Sequence, residues 1–272
     1  YGGHNLAEEV CESLMRLGYD CQYTLLNAVH YGVPEMRERM VLIAFAREVG
    51  ATEFFPCPTN CHELPRGYEG TRQVALQTII EAKHNGQQQS LFREDTFFSF
   101  PPAANLNLPP AVTAEEALAD LPPIAEHLKD KLKRGARRFD KLIPYPEKEL
   151  SVLSDYAVLM RTWPGYENYD GVSDHVIRYL PRDYDIFEQM KPGDQYPEAY
   201  QIAVRLFQKK LRAYNRKNPN SKIKPGSEEY EKLFQQVVPP YDPAKFPNKW
   251  RKMEADAPAR TLMAHLGKDS YS

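Results

Sequence analysis

The sequence of 272 residues has little of what defines membrane, secreted or strongly basic proteins. It holds no apolar run of about 18 residues, and no basic stretch followed by an apolar one stands at its start, so these residues predict neither a membrane span nor a signal peptide. Its four cysteines are too few and too unevenly placed for a disulfide framework: Cys11, Cys21, Cys57 and Cys61. We therefore expect free thiols in a soluble, intracellular protein.

Glycine is scarce beside proline, with 14 glycines against 23 prolines, and the mean hydropathy is -0.61. This balance predicts a polar protein with long irregular stretches. The 42% apolar content is enough for one large domain or two smaller ones. The chain starts at Tyr1 without a methionine and stops at Ser272 inside a dense motif-like string, so we expect truncation at both ends.

A net charge of -2 gives no argument for an anionic partner, but basic residues cluster locally. Residues 205–224 contain eight basic residues and no acidic one, and a second basic cluster between 129 and 141 is only partly offset by Asp130 and Asp140. The two clusters predict one positively charged face.

The first 50 residues predict a helix, a strand, a turn and a second strand. Apolar residues recur at helical spacing in 5–17, and Gly18 supplies a stop signal. CQYTLLNA predicts a strand, and the unbroken apolar run RMVLIAFA predicts another that is buried on both faces. The turn between them is too short for a crossover, so we expect antiparallel pairing. Farther on, Thr113 and Glu116 form a capping box that predicts a short helix ending near Asp120.

A stronger helix is predicted over about 198–217. Its apolar face carries Tyr200, Val204, Phe207, Leu211 and Tyr214. A separate basic stripe carries Arg205, Lys209, Arg212 and Arg216. The stripe is either a solvated face or a contact to the DNA backbone, and the pattern favours the two equally.

The string LGYDCQYTLLNAVHYGVPEMRERMVLIA closely resembles the block of cytosine-5 DNA methyltransferases that has a Gly-Tyr strand, a Gly-Val-Pro turn and paired arginines. The resemblance implies that Arg39 hydrogen-bonds a cytosine flipped out of the duplex and that Arg37 supports the site. Glu35 departs from the family pattern, which has glutamine at this position.

The string KWRKMEADAPARTLMAHLGKDSY near the end resembles the last part of the target-recognition region of this family. The resemblance implies that the dipeptide Thr261 and Leu262 lies against the DNA backbone near the flipped base, with a phosphate contact from Thr261, and that Arg251 contacts DNA. The stretches between the two strings are also similar to bacterial members.

The resemblance implies an α/β fold with three parts. Residues 1–50 would end the Rossmann-like sheet of a catalytic domain that depends on S-adenosylmethionine, 51–124 would connect, and 125–272 would form an irregular α+β target-recognition domain. The complete enzyme would transfer a methyl group from S-adenosylmethionine to C5 of cytosine in a specific sequence of double-stranded DNA. We expect a bacterial, cytoplasmic, nucleoid-associated monomer, of the kind found in restriction-modification systems.

The family's cofactor loop, Pro-Cys nucleophile and Glu-Asn-Val acid have no match in these residues, so we expect the fragment alone to be inactive. Two alternatives stay open. One is a non-catalytic DNA-recognition subunit of a split methyltransferase, and the other is a degenerate homologue that binds nucleic acid without catalysis.

Other candidate sites are weaker. Cys57 follows a proline, but it comes after the paired arginines and precedes Pro58, which argues against a nucleophile. Cys57, Cys61 and His62 lack a clear fourth zinc ligand, so no metal site is predicted. Aromatic and polar residues suited to base edges or stacking lie between 163 and 178, although a packed loop is the interpretation we favour for each one: Trp163, Tyr166, Asn168, Tyr169, Asp174, His175 and Arg178.

Overall fold

The computed structural model describes residues 5–65, 97–125, 135–147 and 149–261. The helices in these ranges are α1 (Leu6–Arg16), α2 (Ala114–Leu118), α3 (Asp155–Arg161), α4 (Tyr184–Gln189), α5 (Tyr196–Lys217) and α6 (Glu228–Val237). The strands are β1 (Tyr19–Asn27), β2 (Glu35–Met36), β3 (Glu38–Ala46), β4 (Gly135–Phe139), β5 (Ile143–Pro144), β6 (Gly171–Val172), β7 (His175–Tyr179) and β8 (Ala259–Arg260). Short 3-10 turns span Ala28–Tyr31, Arg47–Val49 and Leu150–Val152. None of the helices in the described part of the chain combines the length and the hydropathy of a bilayer span.

The first helix and two long strands follow the order that the sequence predicts. Asn5 caps α1, because its Oδ1 accepts a hydrogen bond from the backbone N–H of Ala7 at 3.1 Å. The helix ends before Gly18, whose φ of +90° suits glycine. β1 and β3 then pair antiparallel along their whole length, from Tyr19 opposite Ala46 onward. The predicted helix, strands and antiparallel pairing are confirmed, with the strand starts shifted by one or two residues.

α1 packs on one face of this strand pair. Cys11 of α1 and Cys21 and Tyr23 of β1 are buried there, and Leu42 and Ala44 of β3 cover them in part. The two thiols share a hydrogen bond with their sulfurs 2.8 Å apart, and burial raises the pKa of the Cys11 thiol. All four cysteines are free thiols, as the sequence predicts.

The predicted burial of β3 on both faces is wrong in this structure. Val41 to Ala46 are only half-buried, and Met40 is 54% exposed. Within the described residues β3 pairs with β1 alone. An apolar run shows that a strand can be buried, but it does not show which neighbouring elements cover it.

α5 forms the main core of the later part of the chain. A capping box between Gln195 and Glu198 starts the helix two residues before the predicted position. The ring of the buried Phe207 lies edge-on to Tyr230 and Phe234 of α6, at centroid distances of 5.0 and 5.1 Å. Tyr214, which the sequence predicts on the packed face, is 43% exposed, because it lies beyond Leu211, the last residue of α5 in this core.

The chain divides into two compact units. The first consists of Tyr1–Thr113 and Pro258–Thr261, and the second of Ala114–Ala257 and Leu262–Ser272. β1, β3 and the parallel pair of β2 with β8 belong to the first unit. In the second, β4 pairs with β7 and β5 with β6, both antiparallel. The larger segment of the second unit, Ala114–Ala257, therefore stands in the sequence between the two segments of the first.

Candidate DNA interface and paired arginines

The turn between β1 and β3 is closed by its own hydrogen bonds. Asn27 ends β1, and its Oδ1 accepts from the backbone N–H of Val29 at 3.2 Å. Gly32 then adopts a φ of +77°, which reverses the chain. The backbone N–H of Ala28 donates to the carbonyl of Arg37 at 2.9 Å, so both sides of the turn are tied together. These contacts fix the backbone of the paired arginines.

Arg37 and Arg39 follow this turn. Arg39 lies in β3 opposite Leu26, with its side chain exposed and its guanidinium donating to the carbonyl oxygen of Glu38 at 2.6 Å. Arg37 is half-buried, and its NH1 lies 3.6 Å from Oε1 of Glu35. Glu35, the departure from the family pattern, is therefore the ion partner of Arg37, an arrangement that the sequence did not predict. A half-exposed pair of this kind contributes about 1 kcal/mol or less.

The parallel pair of β2 with β8 brings together the two strings that carry the resemblance. Glu35 lies opposite Ala259 and Met36 opposite Arg260, and the backbone N–H of Ala259 donates to the carbonyl of Pro34 at 2.9 Å. The hydroxyl of Thr261 donates to the carbonyl of Met36. Thr261, predicted as a phosphate contact, thus lies beside the paired-arginine turn and helps to hold β8 against β2.

Arg260 was missed as a candidate residue. Its side chain is exposed on β8, next to Thr261 and in register with Met36. It stands inside the quoted string APARTL, but nothing in that string shows that β8 pairs beside Arg37. Leu262, the other residue of the predicted dipeptide, lies outside the described residues.

The basic stripe of α5 lies on the exposed side of the helix. At 100° per residue, Arg205, Lys209, Arg212 and Arg216 fall within about 60° of one another around the axis. All four are exposed, and among the described residues none of the four is part of an ion pair. Lys210, on another face of the helix, instead lies 3.8 Å from Asp185. The stripe is therefore an exposed, positively charged side of α5.

Arg251 is more enclosed than the stripe. Its side chain is 24% exposed, its NH2 lies 3.4 Å from Oε1 of Glu254, and its backbone forms a bridge with Gln195. The structure therefore places Arg251 in the second unit and Thr261 in the first, although only ten residues separate them.

Of the two cysteines near residue 60, one is exposed and the other makes a hydrogen bond to a later segment of the chain. Cys57 is exposed, and the thiol of Cys61 donates to the carbonyl of Leu108 at 3.2 Å. Burial lowers the pKa of His62. In the ranges that the structure describes, no three His, Cys, Asp or Glu side chains are grouped to hold a metal ion.

Comparisons of the sequence with known proteins find one matching family model and several relatives. Residues 3–139, half of the chain, match the family model for the C-5 cytosine-specific DNA methylase. M.OihORF3336P of Oceanobacillus iheyensis, predicted to be a type II methyltransferase, is 32% identical over all 272 residues. The type II methyltransferase M.BsuRI of Bacillus subtilis is 32% identical over 62 residues, which is 23% of this chain and 14% of that protein. M.BsuFI of Bacillus subtilis, also a type II methyltransferase, is 26% identical over 98 residues, 34% of this chain and 22% of that protein.

The chain belongs to the C-5 cytosine-specific DNA methylase family. Its 272 residues span 54% of the length of the Oceanobacillus protein, about half. The resemblance that the sequence shows is confirmed at the level of the family.

Proposed function

We propose that this chain supplies the target-recognition part and the paired arginines of a DNA (cytosine-5)-methyltransferase. The partner is double-stranded DNA, on which the complete enzyme works as a monomer. The observation that carries the proposal is the β2–β8 pair, because it joins the turn of Arg37 and Arg39 to the segment of Arg260 and Thr261. Two strings far apart in the chain thus lie side by side, and this supports their assignment to one site.

The proposed roles follow from the charges of the site. Arg39 donates hydrogen bonds to the flipped cytosine, and Arg37, held by Glu35, keeps a second positive charge beside it. The base must leave the duplex before a thiolate can attack it. In this proposal the thiolate and the binding loop for S-adenosylmethionine come from sequence outside these 272 residues. S-adenosylmethionine supplies the methyl group.

The second unit supplies affinity for the DNA backbone. The stripe of α5 contacts phosphates, and each contact releases counterions, so binding weakens as salt rises. These contacts position the protein without reading the sequence. The guanidinium of Arg251 is paired with Glu254, so Arg251 contacts a phosphate only when this ion pair opens.

Binding of this 272-residue chain to a labelled duplex at several salt concentrations tests the DNA contact. The plot of log K against log salt has a negative slope, and each phosphate contact contributes about -0.9 to it. We therefore expect the slope for Arg212→Gln to be shallower by about 0.9 than that of the wild type. Lys210→Gln is the matched control on the same helix, because Lys210 already lies near Asp185. Equal slopes for the wild type and Arg212→Gln would exclude the stripe from the interface.

The catalytic role needs the complete coding sequence. Arg39→Ala in the complete enzyme should abolish transfer of a labelled methyl group while most DNA binding remains. Arg47→Ala is the control, because Arg47 is also exposed and directly follows the far end of β3, where it pairs with Asp20 at 3.4 Å. Equal loss of methylation and DNA binding in Arg39→Ala would assign Arg39 a structural role.

The coding DNA on both sides distinguishes the single-chain enzyme from a split one. A reading frame that continues through a cofactor loop, Pro-Cys and Glu-Asn-Val supports the single chain. A frame that starts near Tyr1, with an adjacent gene for the Pro-Cys loop, makes this protein the recognition subunit of a split methyltransferase.

A further inference from the structure

The loop between α3 and β6, residues 162–170, exposes three aromatic rings within seven residues. Trp163 is 48% exposed, Tyr166 80% and Tyr169 57%. Large aromatic side chains usually bury their rings, and exposed apolar groups that cluster mark a contact surface. The interpretation of this stretch as a packed loop, which the sequence favours, therefore does not fit these three residues.

The shape of the loop does not depend on its rings. Gly165 has a φ of +81°, and the backbone N–H of Tyr166 donates to the carbonyl of Trp163 at 2.8 Å, which closes a tight turn. Asn168 then holds the far end, with its Nδ2 donating to the carbonyl of Gly171 at 2.9 Å. The rings are thus presented by a preformed backbone, which lowers the entropy lost on binding.

Arg161 anchors the start of the loop. Its side chain is 7% exposed, its Nε donates to Oδ2 of Asp120 at 2.8 Å, and its guanidinium lies 3.6 Å from the centroid of the Tyr145 ring. Its backbone carbonyl accepts from the N–H of Asn168 at 2.9 Å. One buried residue therefore ties the loop to the segment after α2 and to the segment after β5.

The charges around the rings decide which part of DNA fits them. Glu167 stands between Tyr166 and Tyr169 in the sequence, and Asp170 directly follows Tyr169; both carboxylates are exposed, and they would repel phosphates. Hydrogen bonds from backbone N–H groups lower the pKa of Glu167, so its carboxylate stays charged. The amino groups on base edges are donors that suit carboxylates, and ring faces suit stacking. Phosphates can instead approach the neighbouring strand pair, where Lys141, just before β5, is exposed.

We propose that loop 162–170 is a base-contacting platform, on which Trp163, Tyr166 and Tyr169 stack against nucleobases that have left the regular base stack. This inference rests on the proposed function, because it assumes that the chain binds DNA. Enzymes that act on a base flip it out of the duplex, which leaves the opposite base without its pairing partner. One base stacked on an aromatic ring contributes roughly five- to a hundredfold in affinity.

Tryptophan fluorescence tests the platform directly. The chain has two tryptophans, and Trp250 is buried at 6% exposure, so a ligand at the surface reaches Trp163. A labelled duplex of random central sequence, either fully paired or with one unpaired base, is titrated into the 272-residue chain. Anisotropy of the label reports binding, and quenching of tryptophan emission reports stacking. We expect both signals at the same DNA concentration, with stronger quenching by the duplex that has the unpaired base.

Variants separate stacking from other effects. Trp163→Phe should keep most of the affinity but lose the quenching, and Trp163→Ala or Tyr166→Ala should weaken binding to the unpaired-base duplex roughly fivefold or more. Tyr166→Phe is the matched control, because it keeps the ring. All four changes lie on an exposed loop, and urea unfolding checks that they leave the fold intact.

The outcomes separate this inference from the proposed function. Anisotropy that shows binding, together with no quenching and unchanged affinity in both alanine variants, overturns the platform and leaves the DNA-binding proposal standing. The absence of any binding overturns both. Self-association of the protein without DNA, measured by sedimentation and lost in Tyr166→Ala, would show that the rings contact a second copy of the chain, and this result also overturns the platform.

Discussion

Replacement of Asp120 by asparagine should destabilise the second unit strongly, because Asp120 is one half of a buried ion pair. Both side chains of the Arg161–Asp120 pair are 7% exposed, and Arg161 also donates to the backbone carbonyl of Asp120 at 3.1 Å. Removing one partner of a buried pair costs about 3–5 kcal/mol, since the other charge stays buried without compensation. Asparagine keeps the shape and one acceptor oxygen, so we expect the free energy of unfolding to fall by about 3 kcal/mol.

Urea unfolding followed by tryptophan fluorescence measures this change, since Trp163 and Trp250 both lie in the second unit. At a slope of about 2 kcal/mol per molar urea, a loss of 3 kcal/mol lowers the midpoint by about 1.5 M. Asp174→Asn is the control, because its ion pair is exposed: the side chain of Arg138 is 64% exposed and that of Asp174 57%. Asparagine also tolerates the φ of +63° at this position. The control should lose about 1 kcal/mol or less. Equal midpoints for the two variants would refute the reasoning from burial.

Three further predictions concern the second unit. Phe207→Ala should lower the free energy of unfolding by about 3–5 kcal/mol, measured by the same urea titration, because Phe207 is 2% exposed between Tyr230 and Phe234. Gly171→Ala should open the β5–β6 pair, because an added Cβ would lie 2.1 Å from the carbonyl oxygen of Ile143 and φ is +152°; limited proteolysis should then cut loop 162–170 faster. Burial raises the pKa of Tyr196 to about 12, so as the pH rises above 10 this tyrosine ionises in the unfolded state before it does in the folded state. The free energy of unfolding should therefore fall between pH 10 and 12. Tyr196→Phe should make this decrease with pH smaller, as measured by urea titrations at each pH.

The elements of the first 50 residues could be predicted because their signals are local. The spacing of Leu6, Val10 and Leu14 predicts a helix within a few turns, although Leu6 and Val10 are 64% and 47% exposed and the helix buries Ala7 and Cys11 instead. The turn at Gly32 brings the flanking strands into antiparallel pairing. The same holds for α5, whose apolar and basic residues repeat at helical spacing. Each of these patterns depends on residues close together in the chain.

The pairings that build the site have no such signal. The hydroxyl of Thr261 reaches the carbonyl of Met36 across 225 positions of sequence, and β2 and β8 contain two residues each, too few for a strand pattern. Arg161 and Asp120 are 41 positions apart, and each alone resembles a solvated surface charge. Their burial depends on packing between α2 and α3, which no local spacing encodes. The family resemblance supplied the roles of Arg37 and Arg39, but not the pairing of Arg37 with Glu35.

The order of the two units along the chain has a physical consequence for the proposed function. The chain leaves the first unit at Thr113 and returns to it at Pro258, and the backbone N–H of Ala114 donates to the carbonyl of Ala257 at 2.9 Å. The two ends of the segment Ala114–Ala257 are therefore hydrogen-bonded to each other, so residues inside this segment can change while its two ends stay together. The return strand β8 is fixed by contacts of its own backbone and of Thr261 with Pro34 and Met36. Under the proposal, loops that contact bases can therefore vary in sequence while the position of the paired arginines stays the same.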